Sequence, residues 1–265
     1  GGPISYQLGG WAPPWGIEYV VDSVNAYVLL IVSAIGALVI TFGKQSVERE
    51  LPIGKDGLFY TSYLLCLAGL LGVTITGDAF NIFVFLEISS LSSYILISLG
   101  RQPMALTAAY RYLVLGTIGA TFYLIGVGLL YQATGTLNIA DLAVRVAEVG
   151  DSRAVRASFG FMTVGLGIKL ALFPLHVWLP NAYAYAPSVS SAFLAATATK
   201  VSIYVLVRVF FTIFGPDYSF ETMPLDVVLL PLAVTAMFVG SLVAIFQDDV
   251  KRMLAYSSVA QIGYM

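Results

Sequence analysis

Apolar runs separated by short polar breaks set the pattern of this chain. Seven such runs lie near 24–43, 58–75, 80–99, 106–131, 158–185, 188–214 and 227–247, and an eighth begins at 253–265. Roughly 20 apolar residues in a helix match the hydrocarbon thickness of a bilayer. Hydrocarbon offers the backbone no partner, so a spanning segment must be a helix or part of a closed barrel. The pattern therefore predicts an all-α, polytopic transmembrane bundle, one domain over residues 1–265. Connections are short except for the polar stretch 132–156. The fifth run is interrupted by Pro174 and Pro180. Pro174 has no amide hydrogen and its ring collides with the Leu170 carbonyl, so the helix is predicted to bend or unwind there.

Composition sharpens this reading. Only 11% of the residues are charged and the mean hydropathy is +0.87, whereas a soluble domain carries about a quarter charged residues. This chain cannot cover a water-facing surface. A net charge of -2 gives no reason to expect nucleic acid as a partner. Cys66 and His176 are the sole cysteine and histidine, which excludes a disulfide, an iron–sulfur or zinc cluster and a multi-histidine metal site within the chain. No cofactor and no metal are expected. The first twenty residues lack the basic start and apolar run of a signal peptide, and the chain stops within an apolar run, so it is expected to be an internal piece of a longer protein.

Loop charges choose an orientation. With the amino-terminal segment outside, Lys44, Arg49, Lys55, Arg101, Lys251 and Arg252 face inward, against Arg145, Arg153 and Arg156 outside. Trp11, Trp15 and Tyr19 then fit an outer interfacial belt. Arg111 is close enough to a span end to snorkel. Arg208, six residues from the end of its span, can do the same or meet a lipid headgroup.

Glu87, Lys169 and Lys200 lie deeper, where an ionised group costs roughly 2.5–3.5 kcal/mol on insertion scales. Glu87 stands near the middle of "NIFVFLEISSLSSYILI" (81–97), followed by Ser89, Ser90, Ser92 and Ser93, small hydroxylated residues that let helices approach. Lys169 sits five residues before Pro174, beside backbone that the break exposes. Carbonyls freed there must be met by protein or water, and a lysine beside a hydrated break can exchange its proton. His176 follows the break and titrates near neutrality. Lys200, Tyr204 and Arg208 recur every four residues and share one helical face, with Thr197 and Thr199 adding hydroxyls near Lys200. Two readings stay open. Glu87, Lys169, His176 and Lys200 form a row of proton-transfer groups, with Tyr204 and Arg208 as accessories and Pro174 as the helix break; or Glu87 is a protonated packing residue, the lysines are structural and His176 is a hydrogen-bonded spacer.

The motifs "NIFVFLEISSLSSYILI", "GIKLALFPLHVWLPNAYAYAP", "ATKVSIYVLVR", "DDVKRMLAYSSVAQIGYM" and "TGTLNIADLA" cover most of the chain after residue 57. Together they resemble the antiporter-like subunits shared by Mrp-type multisubunit cation/proton antiporters, membrane-bound hydrogenases and respiratory complex I. "YQLGGWAPPWGIEYVVDSVNAYVLLIVSAI" looks most like the Mrp D subunit. The resemblance implies a fold of about fourteen helices built on two inverted five-helix repeats, each with a broken helix. Residues 57–214 would form the first repeat and 226–265 the start of the second. It also implies that Glu87 is the acid of the family's Glu–Lys pair, Lys169 the lysine of the first broken helix and Lys200 the central-axis lysine; the position of His176 is often polar.

The function expected from this is proton translocation within a hetero-oligomeric complex in a prokaryotic plasma membrane, first as an Mrp-type Na+/H+ antiporter subunit. The alternatives are the pump subunit of a redox complex, of the NADH:quinone oxidoreductase or hydrogenase type, and a structural subunit with inert charges. Three structural expectations follow: Glu87 faces Lys169, the helix is interrupted around Pro174, and polar groups or water meet the freed carbonyls and lead from Lys169 past His176 toward Lys200.

Overall fold

The computed structural model describes residues 2–265. It opens on a β-hairpin that no apolar run signalled: β1 (Ile4–Gln7) pairs antiparallel with β2 (Glu18–Val21), Ile4 opposite Val21. The hairpin lies across the turn before residue 79. Gly77 donates its N–H to the Glu18 carbonyl at 2.9 Å, and a Cβ on Gly77 would stand 3.0 Å from Val20 Cγ2.

The helices follow the apolar runs. They are α1 (Ser23–Glu50), α2 (Asp56–Ile75), α3 (Ala79–Ser98) and α4 (Pro103–Thr134). After α5 (Ile139–Val149) come α6 (Arg153–Leu170), α7 (Leu179–Tyr185) and α8 (Ser188–Val207), which continues as a π turn, Arg208–Ile213. A second π turn, Tyr218–Thr222, leads to α9 (Leu225–Ile245) and α10 (Val250–Tyr264). Side chains set several starts. Asp22 accepts from the N–H groups of Val24 and Asn25 while the Asn25 side chain accepts from the Asp22 N–H, a reciprocal cap on α1. Asp78, Asn138, Ser152 and Asp249 cap α3, α5, α6 and α10.

Among the described residues six helices are long and apolar enough to cross a membrane: α1 to α4, α8 with its π turn, and α9. The fifth run became two short pieces, α6 and α7, on either side of the break, and α10 has 15 residues. The long connection 132–156 is not simply polar. Within it α5 buries Leu142 and Val146, one helical turn apart, against Arg208–Ile213, and turns Asp141 and Arg145 outward as a 3.0 Å ion pair. Asn138 also ties this helix to the hairpin, donating to Glu18 Oε1 at 2.7 Å.

At the centre, α4 packs on α6, α3 and α7, while α8 lies between α1 and α6. Small residues let the backbones touch. A Cβ on Gly165 would fall 2.6 Å from the Gly119 carbonyl oxygen, and one on Gly69 would fall 2.6 Å from the Ser89 nitrogen. Ser89 and Ser93 of α3 therefore face α2, Ser89 at backbone contact, as small residues do between membrane helices.

This contact can be tested. Gly165→Leu should force α4 and α6 apart and lower the thermal midpoint of the full-length protein in detergent, by the equivalent of about 1–3 kcal/mol. Gly128→Leu, at a position with nothing within 4 Å of a new Cβ, should leave the midpoint in place.

Candidate functional site

Lys169 occupies the last turn of α6. That helix stops at Leu170 because Ala171 turns into the left-handed region, with φ 63°, and its N–H closes back to the Ile168 carbonyl. The Leu172 N–H reaches the Gly167 carbonyl at 2.8 Å, a C-terminal cap that satisfies two carbonyls at once. Residues 172–178 are not helical, and α7 begins at Leu179. The chain is thus interrupted around Pro174, whose ring is partly exposed.

Protein donors meet carbonyls at the end of α6. The Trp178 indole donates to the Ile168 carbonyl at 2.9 Å, and backbone amides take the rest of that cap. Lys169 does not serve them, because its side chain leaves the break altogether. Its Nζ lies 3.2 Å from Glu87 Oε1 and donates to Ser90 Oγ at 2.6 Å. Glu87 and Ser90 are three residues apart on α3, hence on one face. The negative end of the α6 dipole adds a favourable term for the ammonium, on the order of 1 kcal/mol.

The pair is asymmetric. The Lys169 side chain is 3% exposed and the Glu87 side chain 24%, so the carboxylate is the partner within reach of other groups. Removing one member of a buried pair strands the other charge, at a cost of about 3–5 kcal/mol. A row of aromatic rings runs from α3 through α4 to the end of the break. Tyr112 stacks on Trp178 with centroids 3.8 Å apart and meets Tyr94 edge-on at 4.7 Å. The Tyr94 hydroxyl is buried and makes no hydrogen bond among the described residues.

His176 packs against other rings. It stacks on Phe173 at 5.1 Å and faces Tyr256 of α10 at 6.5 Å, and its Nδ1 is buried without a partner among the described residues. Lys200 folds back along its own helix and donates to the Ala195 carbonyl at 2.8 Å and to Thr199 Oγ1 at 3.3 Å. Thr197 bonds instead to the Phe193 carbonyl. Among the described residues no hydrogen bond joins Lys169 to His176 or to Lys200. The structure brings Glu87 and Lys169 together and leaves His176 and Lys200 apart from them.

Arg208 corrects its expected placement. It does not reach for lipid: its guanidinium pairs with Asp22, the cap of α1, and its Nε donates to the Tyr204 hydroxyl at 3.0 Å. Tyr204 in turn donates to the Thr74 carbonyl at 3.1 Å. These residues clamp the hairpin end of α8 onto α1 and α2. Partial burial would raise the Asp22 carboxyl, but the amides of Asn25 and Val24 and the Arg208 guanidinium outweigh it and hold the group below the usual aspartate range. Sequence reasoning missed Ser90, Trp178, Tyr112 and Asp22. Ser90 had a signal, its three-residue spacing from Glu87; the union of Asp22 with a residue 186 positions away had none.

A helical bundle with a deep carboxylate–ammonium pair beside a broken helix defines a multi-pass integral membrane protein organised around titratable groups. The family model described as NADH:quinone oxidoreductase/Mrp antiporter, transmembrane region, matches residues 76–265, and the chain belongs to this family. It is 47% identical over 265 residues to the N subunit of the NADH-quinone oxidoreductase of Desulforudis audaxviator, covering all of this chain and 52% of that protein. It is 37% identical to the D subunit of the Na(+)/H(+) antiporter of Alkalihalophilus pseudofirmus, over 98% of this chain and 51% of that one. The chain spans about half the length of the curated relatives it matches. Among solved structures it aligns with a chain of the membrane-bound sulfane sulfur reductase, an archaeal respiratory membrane complex, at a TM-score of 0.90 and 35% identity, covering 99% of this chain and 52% of that chain. A chain of the Mrp complex from Dietzia sp. DQ12-45-1b gives a TM-score of 0.87 at 30% identity, covering 100% and 48%.

The Asp22 clamp has a pH signature. Its folded carboxyl titrates lower than an unfolded aspartate, so its contribution is complete at neutral pH and is lost as the pH falls below about 4. Asp22→Asn keeps the helix cap but removes the charge. The thermal midpoint of the full-length protein should be lower in this variant at neutral pH, and the gap to the parent should close on acidification toward about pH 3.

Proposed function

We propose that this chain is the proton-translocating part of one subunit in a membrane complex, with Lys169 and Glu87 as the groups that exchange the proton. The observation that carries this is the pair itself: an ammonium 3% exposed and 3.2 Å from a carboxylate, at the end of a helix that stops mid-bundle. A buried pair is a poor stability device, since well-packed apolar side chains often do as well. Its use lies in its coupled titration, in which the two groups share protons as one unit. While the pair is closed the charges balance. When the more accessible Glu87 separates or takes up a proton, Lys169 is left as an uncompensated ammonium in apolar surroundings, a costly state that drives its proton onward.

Onward transfer needs a rearrangement or water, because Lys200 stands apart from the pair. Lys200 and His176 are the acceptors we assign to that step. Tyr204 and Arg208 belong to the clamp and hold α8 while its other half works. Partner subunits supply the driving force, and the family offers two hosts. The reading as part of an Mrp-type Na+/H+ antiporter has the likeness to the antiporter's D subunit and to the Mrp complex in its favour. The reading as the pump subunit of a redox complex is favoured by the higher identity to the oxidoreductase's N subunit and the higher TM-score to the respiratory complex.

Inverted vesicles carrying the full-length complex test both levels. Lys169→Ala should abolish proton movement in a complex that still assembles. Ser90→Ala, which removes one acceptor from the ammonium, should slow it by roughly tenfold, the equivalent of about 1.4 kcal/mol. Undiminished proton movement in an assembled Lys169→Ala complex would mean that the charges are inert. Proton movement driven by an imposed Na+ gradient points to the antiporter host, and movement driven only by an electron donor points to the redox host.

A further inference from the structure

At the end of the bundle away from the hairpin, the carboxyl end of α1, the turn between α3 and α4, the link between α7 and α8, and the start of α10 enclose a recess of about 210 Å³. Its walls carry Arg49, Arg101 and Lys251 against a single acid, Glu50, which leaves two positive charges in excess. The recess is rigidly built. A Cβ on Gly100 would fall 2.2 Å from the Tyr185 carbonyl oxygen, so the α3–α4 turn lies directly on the end of α7.

The internal partners of these groups are accounted for. Glu50 accepts from the Ser188 N–H at 2.7 Å and from the Ser46 hydroxyl at 2.8 Å, with Lys251 Nζ at 3.9 Å. Lys251 donates to the Ala186 carbonyl at 2.9 Å. Arg101 spends its Nε and one terminal nitrogen on the Leu51 carbonyl, at 3.2 and 3.0 Å, and keeps its other N–H groups free. Arg49 is exposed and makes no hydrogen bond or ion pair among the described residues. Two guanidinium groups with open donors thus flank one recess, the geometry that suits phosphate oxygens.

We propose that this recess binds the phosphodiester headgroup of an anionic membrane lipid. Arg49 and the free N–H groups of Arg101 take the phosphate oxygens, and Lys251 adds charge from the opposite wall. Three observations favour a lipid over free phosphate. The recess lies at the ends of membrane-length helices, where headgroups reside. The chain on either side of its walls carries exposed apolar side chains, Ile53 three residues after Glu50 and Phe246 five residues before Lys251, which suit the acyl chains. Loop charges place this end on the cytoplasmic side, where basic pockets between transmembrane helices meet anionic headgroups. A bound headgroup would tie together the ends of helices that are far apart in sequence. This site is independent of the Lys169–Glu87 pair and of the transport reading.

The test uses the full-length protein purified with its complex in detergent, and a phosphatidylglycerol probe with a photoreactive acyl chain. Cross-linked peptides are mapped by mass spectrometry. Cross-links should appear in the segments around Ile53 and Phe246, compete with unlabelled phosphatidylglycerol, and resist equal phosphatidylcholine and millimolar inorganic phosphate. Arg49→Gln should weaken the competition constant by roughly fivefold, and adding Arg101→Gln by roughly fivefold again. Arg49→Lys should recover most of the charge contribution. Because Arg49 is exposed and makes no hydrogen bond or ion pair among the described residues, its substitution tests binding without removing a bond of the fold. Unchanged cross-linking in Arg49→Gln would overturn the proposal. So would full displacement by inorganic phosphate, which would make this a site for free anions, or equal competition by phosphatidylcholine.

Discussion

An ammonium group sealed among apolar helices has to find its counter-charge inside the protein, and much of this bundle is arranged to supply one to Lys169. Glu87 and Ser90 can reach it only if α3 and α6 stand close, with α4 beside both. That closeness rests on glycines of α4 at the contacts: Gly119 against Gly165 of α6, and Gly116 against the Tyr94 hydroxyl of α3. The left-handed turn at Ala171 then ends α6 directly after the lysine's turn, so the ammonium sits where the helix dipole is most negative. Charge, packing and helix end are three aspects of one requirement.

The charges of α8 divide into fixed and movable. Arg208 stays protonated under any condition a protein meets, and its union with Asp22, steadied by Tyr204 and the Thr74 carbonyl, anchors one end of the helix. Lys200 has no acid partner among the described residues and contents itself with a carbonyl and a hydroxyl of its own helix. The residue that can change its charge is therefore the one least tied down. A helix face that reads as one row in sequence is in fact a clamp at one end and, among the described residues, a lysine without an acid partner at the other.

Much of this could be read from the residues. The apolar runs placed the long helices, Pro174 marked the interruption, and the expense of deep charges singled out Glu87 and Lys169. Other parts had no local signature. The hairpin strands are four residues each, too short for alternation to stand out. The helix α5 hides in a stretch with charges, since two buried side chains one turn apart are a weak signal beside runs of membrane length. The bond of Asp22 to Arg208 and the service of the Trp178 indole to the Ile168 carbonyl depend on tertiary placement alone. That last contact gives one carbonyl at the break a donor from the protein itself.

The π turn at Arg208–Ile213 has a further consequence for α8. A π turn holds one surplus residue relative to a regular helix, and each residue corresponds to about 100° of helical phase. Such a defect can migrate along a helix by exchanging one hydrogen bond at a time, without the helix ever coming apart. If this one moved a turn or two toward the amino end, the segment it crossed would corkscrew, turning Tyr204 and then Lys200 toward different neighbours at the cost of the Tyr204 bonds to Arg208 and the Thr74 carbonyl. A bundle packed at backbone contact leaves little room for a helix to tilt or slide. A travelling fault in its winding is a motion that needs almost none.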